Sequence, residues 1–166
     1  MALKTPIINI MTKAVYKASN KLIKDFREVE NLQVSKKGIG DFVTSADLNS
    51  EQTIIKTLQK AYPEIKIISE ETYPEVDLNL HEKKWIIDPL DGTLNFLHGL
   101  PHFAISIALM IKDEIISGVI YDPIKDELFW AEKGVGAYLN NTRIRVSQRS
   151  QLKDALISTG IPWKGM

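Results

Sequence analysis

The apolar pattern of this chain changes period once, near residue 63, and that switch restricts its fold more than any other feature. Before it, Ile7, Met11, Ala14, Val15, Ala18, Leu22 and Phe26 recur at helical spacing with lysines between them. This predicts an amphipathic helix within residues 4–30. Thr44-Ser45-Ala46-Asp47 favours a helix start, and a second helix is predicted there with Leu48, Ile54, Ile55, Leu58 and Ala61 on one face. Tyr62-Pro63 ends it, because proline cannot continue the hydrogen-bond ladder. From Ile65 onward the chain reads as short β-branched or aromatic runs: IKIIS, KWIID, FAISIALMI, EIISGVIY, ELFWAE, GAYL and TRIRVS. Lys112-Asp113, Asp122-Pro123, Gly134 and Asn140-Asn141 separate the later runs. GAYL-NN-TRIRV is predicted to be a tight hairpin, since asparagine tolerates left-handed backbone. ALIST reads as a further strand beginning. Two helices followed by a largely antiparallel sheet define an α+β layer structure.

Composition narrows the function classes. Twenty-one basic residues balance 21 acidic ones with no block of one sign, so the chain carries no nucleic-acid signature. No cysteine is present, which excludes a disulfide scaffold, a zinc–thiolate centre and a cysteine nucleophile. The N-terminus lacks the pattern of a signal peptide, and the longest apolar run, 103–111, is far too short to span a bilayer. A cytoplasmic location is expected.

Three acidic stretches stand where regular elements end. Asp41 and Asp47 flank the start of the second helix, Glu70 and Glu71 follow IKIIS, and Asp88 and Asp91 bracket the turn after KWIID. Carboxylates at strand ends can converge at one edge of a sheet. Magnesium takes oxygen ligands. Asp88, Asp91 and the Leu90 carbonyl between them could offer several, with Glu70 added from a neighbouring strand. Gly92 and Thr93 would present backbone N–H groups to a phosphate.

Each residue also has a bland reading. A lone D-x-x-D is usually a solvated turn, and Asp-Pro and Asp-Gly are ordinary turn dipeptides. Glu70-Glu71 could be surface charge, Asp47 a helix-start residue and Thr93 a turn residue. Lys36 could reach the metal–phosphate region but reads first as a solvated loop lysine, His98 and His102 read as structural or rim residues, and Phe129 and Trp130 as core. The combination of acidic strand ends with a glycine–threonine step favours the metal reading. A haloacid-dehalogenase pattern fails here: its nucleophilic aspartate would fall on Pro89.

WIIDPLDGTLNF closely resembles the D-P-x-D-G-T-x-N-F signature of the inositol monophosphatase family. DFVTSAD resembles its D-x-V-T-x-x-D segment, IISEE its strand ending in an acidic pair, and GVIYDP with GVGAYLNN its later hairpins. The resemblance runs across essentially the whole chain and is of the bacterial, extragenic-suppressor type. It implies a magnesium-dependent phosphomonoesterase using two or three ions, with a lithium-sensitive site, and a homodimer acting on a small phosphorylated substrate. Glu70, Asp88 and the Leu90 carbonyl would hold a first ion. Asp88 and Asp91 would share a second. Asp47 and Thr93 would pair to orient the attacking water, and the Gly92 and Thr93 amides would hold the phosphate. Asp91 would also face the substrate hydroxyls.

Inositol monophosphate is the substrate the resemblance favours. Ser69 stands where many inositol phosphatases carry glycine, as in the related bisphosphate nucleotidases, but Leu94-Asn95-Phe96 departs from the nucleotidase pattern. Histidinol phosphate shares the motif, and a non-catalytic protein-binding module is the reading from another class. Members of the family continue into a second α/β half with a W-D-x-A-A-G-like motif. No such motif occurs here, so residues 1–166 are read as the N-terminal α+β portion, with weak or no turnover by themselves.

Overall fold

The computed structural model describes residues 4–28, 34–37, 41–71 and 83–159, of which 34–37 and 41–44 are described by backbone alone. Helix α1 (Pro6–Arg27) starts where the pattern predicts. Thr5 caps it, its Oγ1 accepting from the Ile8 N–H at 3.3 Å, and Pro6 occupies the first turn, where no N–H is needed. The Thr5 hydroxyl also donates to Glu132 at 2.6 Å, tying the helix start to the sheet. Lys24 and Arg27 lie in the last turn, at the negative end of the helix dipole. Its apolar stripe, Ile8, Met11, Val15, Ala18 and Leu22, is fully buried.

Helix α2 (Ser45–Ala61) follows a two-stranded antiparallel ribbon, β1 (Val34–Lys37) and β2 (Asp41–Thr44), so Lys36, expected in a loop, lies on a strand. Its buried face differs from the predicted one. Ala46, Asp47, Ser50, Glu51, Ile54 and Leu58 point inward, whereas Leu48 is 41% exposed and Ala61 is exposed. The first two turns of that face are polar because they adjoin the carboxylate cluster described below.

The main sheet has seven strands in chain order: β3 (Lys66–Ser69), β4 (Lys83–Asp91), β5 (Ala104–Ile111), β6 (Glu114–Asp122), β7 (Glu127–Glu132), β8 (Gly136–Leu139) and β9 (Thr142–Ile144). β3 and β4 are parallel and every other neighbouring pair is antiparallel. Alternation along the strands sends Trp85, Ile87, Ile105, Ile107, Val119, Leu128 and Trp130 to the helix-covered face. Each such side chain contributes about 1.5–3 kcal/mol by leaving water. Among the described residues neither α1 nor α2 packs on the opposite face. There Ile120 is 49% exposed, and a groove of about 620 Å3 runs past Gly118, Phe129 and Ile144. Phe129 therefore lies across the sheet from the core expected for it, only partly buried.

The predicted β8–β9 hairpin forms, with Asn140 at φ 53°. TRIRVS contributes only its first three residues to β9. ALIST forms no strand: Leu156 and Ile157 are exposed, with no partner strand among the described residues. A strand needs a neighbour for its N–H and C=O groups, and nothing in the described chain supplies one.

Candidate active site

The centre of the site is a break in the β4–β5 ladder. Asp88 pairs with Ser106 and Asp91 with Ala104, so β4 carries one residue more than β5 across this step. That is a β-bulge, and proline is tolerated there because no ladder N–H is required. The bulge buries Pro89 and Leu90 and brings Asp91 to the surface. Asp88 Oδ1 accepts from the Leu90 N–H at 3.1 Å, and the Thr93 hydroxyl donates to the Leu90 carbonyl at 2.9 Å. Ser50 of α2 donates to the Pro89 carbonyl at 2.8 Å, a buried bond between elements.

Gly92 follows with φ 92°, and a Cβ there would lie 3.0 Å from the His102 carbonyl oxygen. Only glycine fits that combination of left-handed backbone and close approach. The turn leads into the short helix α3 (Thr93–Leu97), while Asn95 donates to the His102 carbonyl at 2.8 Å and holds the returning loop. The Gly92-Thr93 step thus stands directly beside Asp91, as the motif predicts.

The parallel pairing of β3 with β4 sets Ser69 opposite Ile87, and the Glu70 N–H continues the ladder to the Ile87 carbonyl at 3.3 Å. This places Glu70 next to Asp88. Burial, then the Glu70 and Asp91 charges, push the Asp88 carboxyl up to about 7, with a hydrogen bond to Glu70 adding to the shift. Asp47, 2% exposed on α2, is pushed up to about 8, first by burial and then by Glu71, Asp88, Glu70 and Glu51. Three elements, α2, the end of β3 and β4, therefore bring Asp47, Glu70, Asp88 and Asp91 into one field of negative charge. Two further carboxylates in that field, Glu51 and Glu71, were not among the predicted site residues. Glu51 lies one helical turn after Asp47 and is 1% exposed, so its i, i+4 spacing was the signal that could have found it.

In the expected pairing with Asp47, the Thr93 hydroxyl would take part as an acceptor. The hydroxyl has one proton, and here it goes to Leu90. His98 and His102 are exposed rim residues, as read from the sequence. The Lys36 and Asp41 side chains lie outside the described residues.

The residues fit a hard dication by chemistry. All the donors are oxygens, burial together with neighbouring carboxylates keeps protons on Asp47 and Asp88, and the Leu90 carbonyl keeps a second lone pair. Among the described residues no three carboxylate or imidazole side chains converge closely enough to hold an ion as they stand. Two cavities adjoin the cluster, one of about 470 Å3 beside Glu70 and Asp88 and one of about 410 Å3 beside Asp91 and Gly92. Both are of ligand-pocket size.

A bulged D-P-L-D turn, a glycine–threonine step and acidic strand ends on an α+β sheet are the marks of one class of phosphatase. The pattern of the Inositol monophosphatase family matches residues 3–165, and the chain belongs to that family of metal-dependent phosphatases. It is 48% identical over 162 residues to an inositol-1-monophosphatase of Rhizobium meliloti (strain 1021), covering 98% of this chain and 60% of that protein. A Nus factor SuhB of Haemophilus influenzae is 43% identical over 159 residues, covering 96% of this chain and 59% of that one. The crystal structure of extragenic suppressor protein SuhB from Bartonella henselae matches with a TM-score of 0.82 and 48% identity, over 87% of this chain and 56% of that chain. The two helices and seven-stranded sheet correspond to the N-terminal part of these structures. The chain spans about 60% of the length of the curated relatives it matches. No helix of the described residues is long and apolar enough to cross a membrane.

Proposed function

We propose that this chain carries the metal- and phosphate-binding portion of a magnesium-dependent phosphomonoesterase acting on inositol monophosphate. The observation that carries the reading is the gathering of Asp47, Glu70, Asp88 and Asp91 around the bulge, where burial first and neighbouring carboxylates second raise Asp88 and Asp47 to about 7 and 8. Glu70, Asp88 and the Leu90 carbonyl would hold one ion, and Asp88 with Asp91 a second. Bound magnesium supplies an activated water and neutralises charge on the phosphate and the leaving oxygen. With the dication offsetting the neighbouring negative charge, Asp47 would be ionised and would accept the proton of the attacking water, which Thr93 would help to orient. The Gly92 and Thr93 amides receive the phosphoryl oxygens, and Asp91 meets the alcohol that departs when the ester P–O bond breaks. A homodimer and a cytoplasmic location belong to the same proposal.

The test is phosphate release from inositol 1-phosphate by residues 1–166, with and without magnesium, beside the Rhizobium relative. The chain covers 60% of that relative, and the W-D-x-A-A-G-like motif expected of the family does not occur in its sequence. We expect magnesium-dependent release at least ~100-fold slower than that of the relative, the usual cost of losing one such electrostatic contact. Asp91→Asn should abolish it. Release that ignores magnesium, or that matches the complete relative, would overturn the reading.

The name Nus factor on one relative supports a second reading, a protein-binding module. Asp91→Asn separates the two, since a binding module keeps its cellular role when the carboxylate is lost and an esterase does not.

A further inference from the structure

Three bonds between a side chain and a backbone group hold the bulged turn beside the Asp88–Glu70 contact, and they differ in reach. Leu90 N–H to Asp88 and Thr93 hydroxyl to Leu90 carbonyl span two and three residues, so they preserve the shape of the turn wherever it moves. Ser50 Oγ to the Pro89 carbonyl spans 39 residues and joins the turn to α2. Pro89 has no N–H, and the register skips it between Asp88 and Asp91, so its carbonyl takes its partner from outside the β4–β5 ladder. Ser50 is 2% exposed and sits one helical turn from Asp47 on the same buried face. The bond therefore sets the distance between the helix that carries Asp47 and the turn that carries Asp88 and Asp91.

We propose that Ser50 is a positioning residue: through the Pro89 carbonyl it holds the Asp88–Asp91 turn in register with Asp47 for binding a divalent cation. The inference rests on the metal reading above and goes beyond it in assigning a role to a hydroxyl that touches neither metal nor substrate. Loss of the bond leaves the shape of the turn intact and frees its position, so the effect falls on metal affinity.

Manganese, a paramagnetic stand-in for magnesium, provides the readout. Its binding to residues 1–166 is followed by electron paramagnetic resonance, with folding checked by circular dichroism. Ser50→Ala should weaken binding by on the order of tenfold, the usual effect of losing a group that orients a ligand. Ser50→Cys keeps the size with a weaker donor and should fall between the two. It carries the test if the alanine variant does not fold. Ser117→Ala, at an equally buried serine whose hydroxyl has no hydrogen-bond partner among the described residues, should bind as wild type. Wild-type affinity in a folded Ser50→Ala, even with a lowered melting temperature, would reduce Ser50 to a structural tie and overturn the proposal. No manganese binding by the wild type would overturn the metal reading and this inference together, an outcome distinct from equal binding by both.

Discussion

Asp47 and Asp88 hold their protons to about 8 and 7 because burial and neighbouring carboxylates disfavour the charge. An unfolded chain relieves both effects and releases the protons near the ordinary aspartate value of 3.8. Between those limits the folded state binds more protons than the unfolded one, so the stability linked to these groups is full below about pH 4 and is lost as pH rises through 7 and 8. In a metal chelator, the denaturation midpoint should therefore fall from pH 5 to pH 8.5, and Asp47→Asn should flatten that slope. A midpoint that rises over this interval would contradict the buried, mutually repelling arrangement. Asp88, Asp91 and Glu70 were legible as residues because each stands at a motif position beside a turn. The perturbation of Asp47 was not, because it depends first on burial and then on Glu71, Asp88 and Glu70, which only the fold brings up to α2.

At the scale of elements, periodicity located the helices and most strands, while partners decided where each one stopped. The β8–β9 hairpin shows both influences. Asn140 adopts the left-handed backbone, and its side-chain oxygen accepts the Leu128 N–H at 2.9 Å while its own N–H reaches the Leu128 carbonyl at 2.7 Å. Its carbonyl also receives the Trp130 indole N–H at 2.9 Å. Asn140→Ala should destabilise the protein by about 1–3 kcal/mol, combining αL strain with a Leu128 N–H left unsatisfied. Urea denaturation measures it, and a change below about 0.5 kcal/mol would show the turn to be indifferent to the side chain. By contrast the ribbon β1–β2 carries no alternating apolar signal in VSKK, and ALIST has the composition of a strand without a neighbour to complete it. Leu48 fits a helical stripe on paper, yet the buried face turns toward Asp47, Ser50 and Glu51, since the core at that end of α2 is the polar site.

For the molecule as a whole, the sheet is covered on one face by α1 and α2, while the other presents Ile115, Ile120 and Ile144 at 47%, 49% and 37% exposure. A contiguous apolar face of this kind favours association. Residues 1–166 should sediment as a concentration-dependent dimer or larger species, and Ile120→Lys should shift the distribution toward monomer. A wild-type chain that stays monomeric at every concentration tested would count against the open face as a contact surface.

The sequence by itself determined the family, the α+β class and the identity of the turn that gathers Asp88, Leu90, Asp91, Gly92 and Thr93. These are local properties, written in apolar period and residue spacing. Only the tertiary structure decided that β3 runs parallel to β4 and so sets Glu70 against Asp88. It also decided that Ser50 ties Pro89 to α2, that Glu51 and Glu71 join the charge cluster, and which sheet face is left open. Those outcomes depend on which distant segments meet. The contact of a serine with a carbonyl 39 residues away leaves no periodic trace in either stretch.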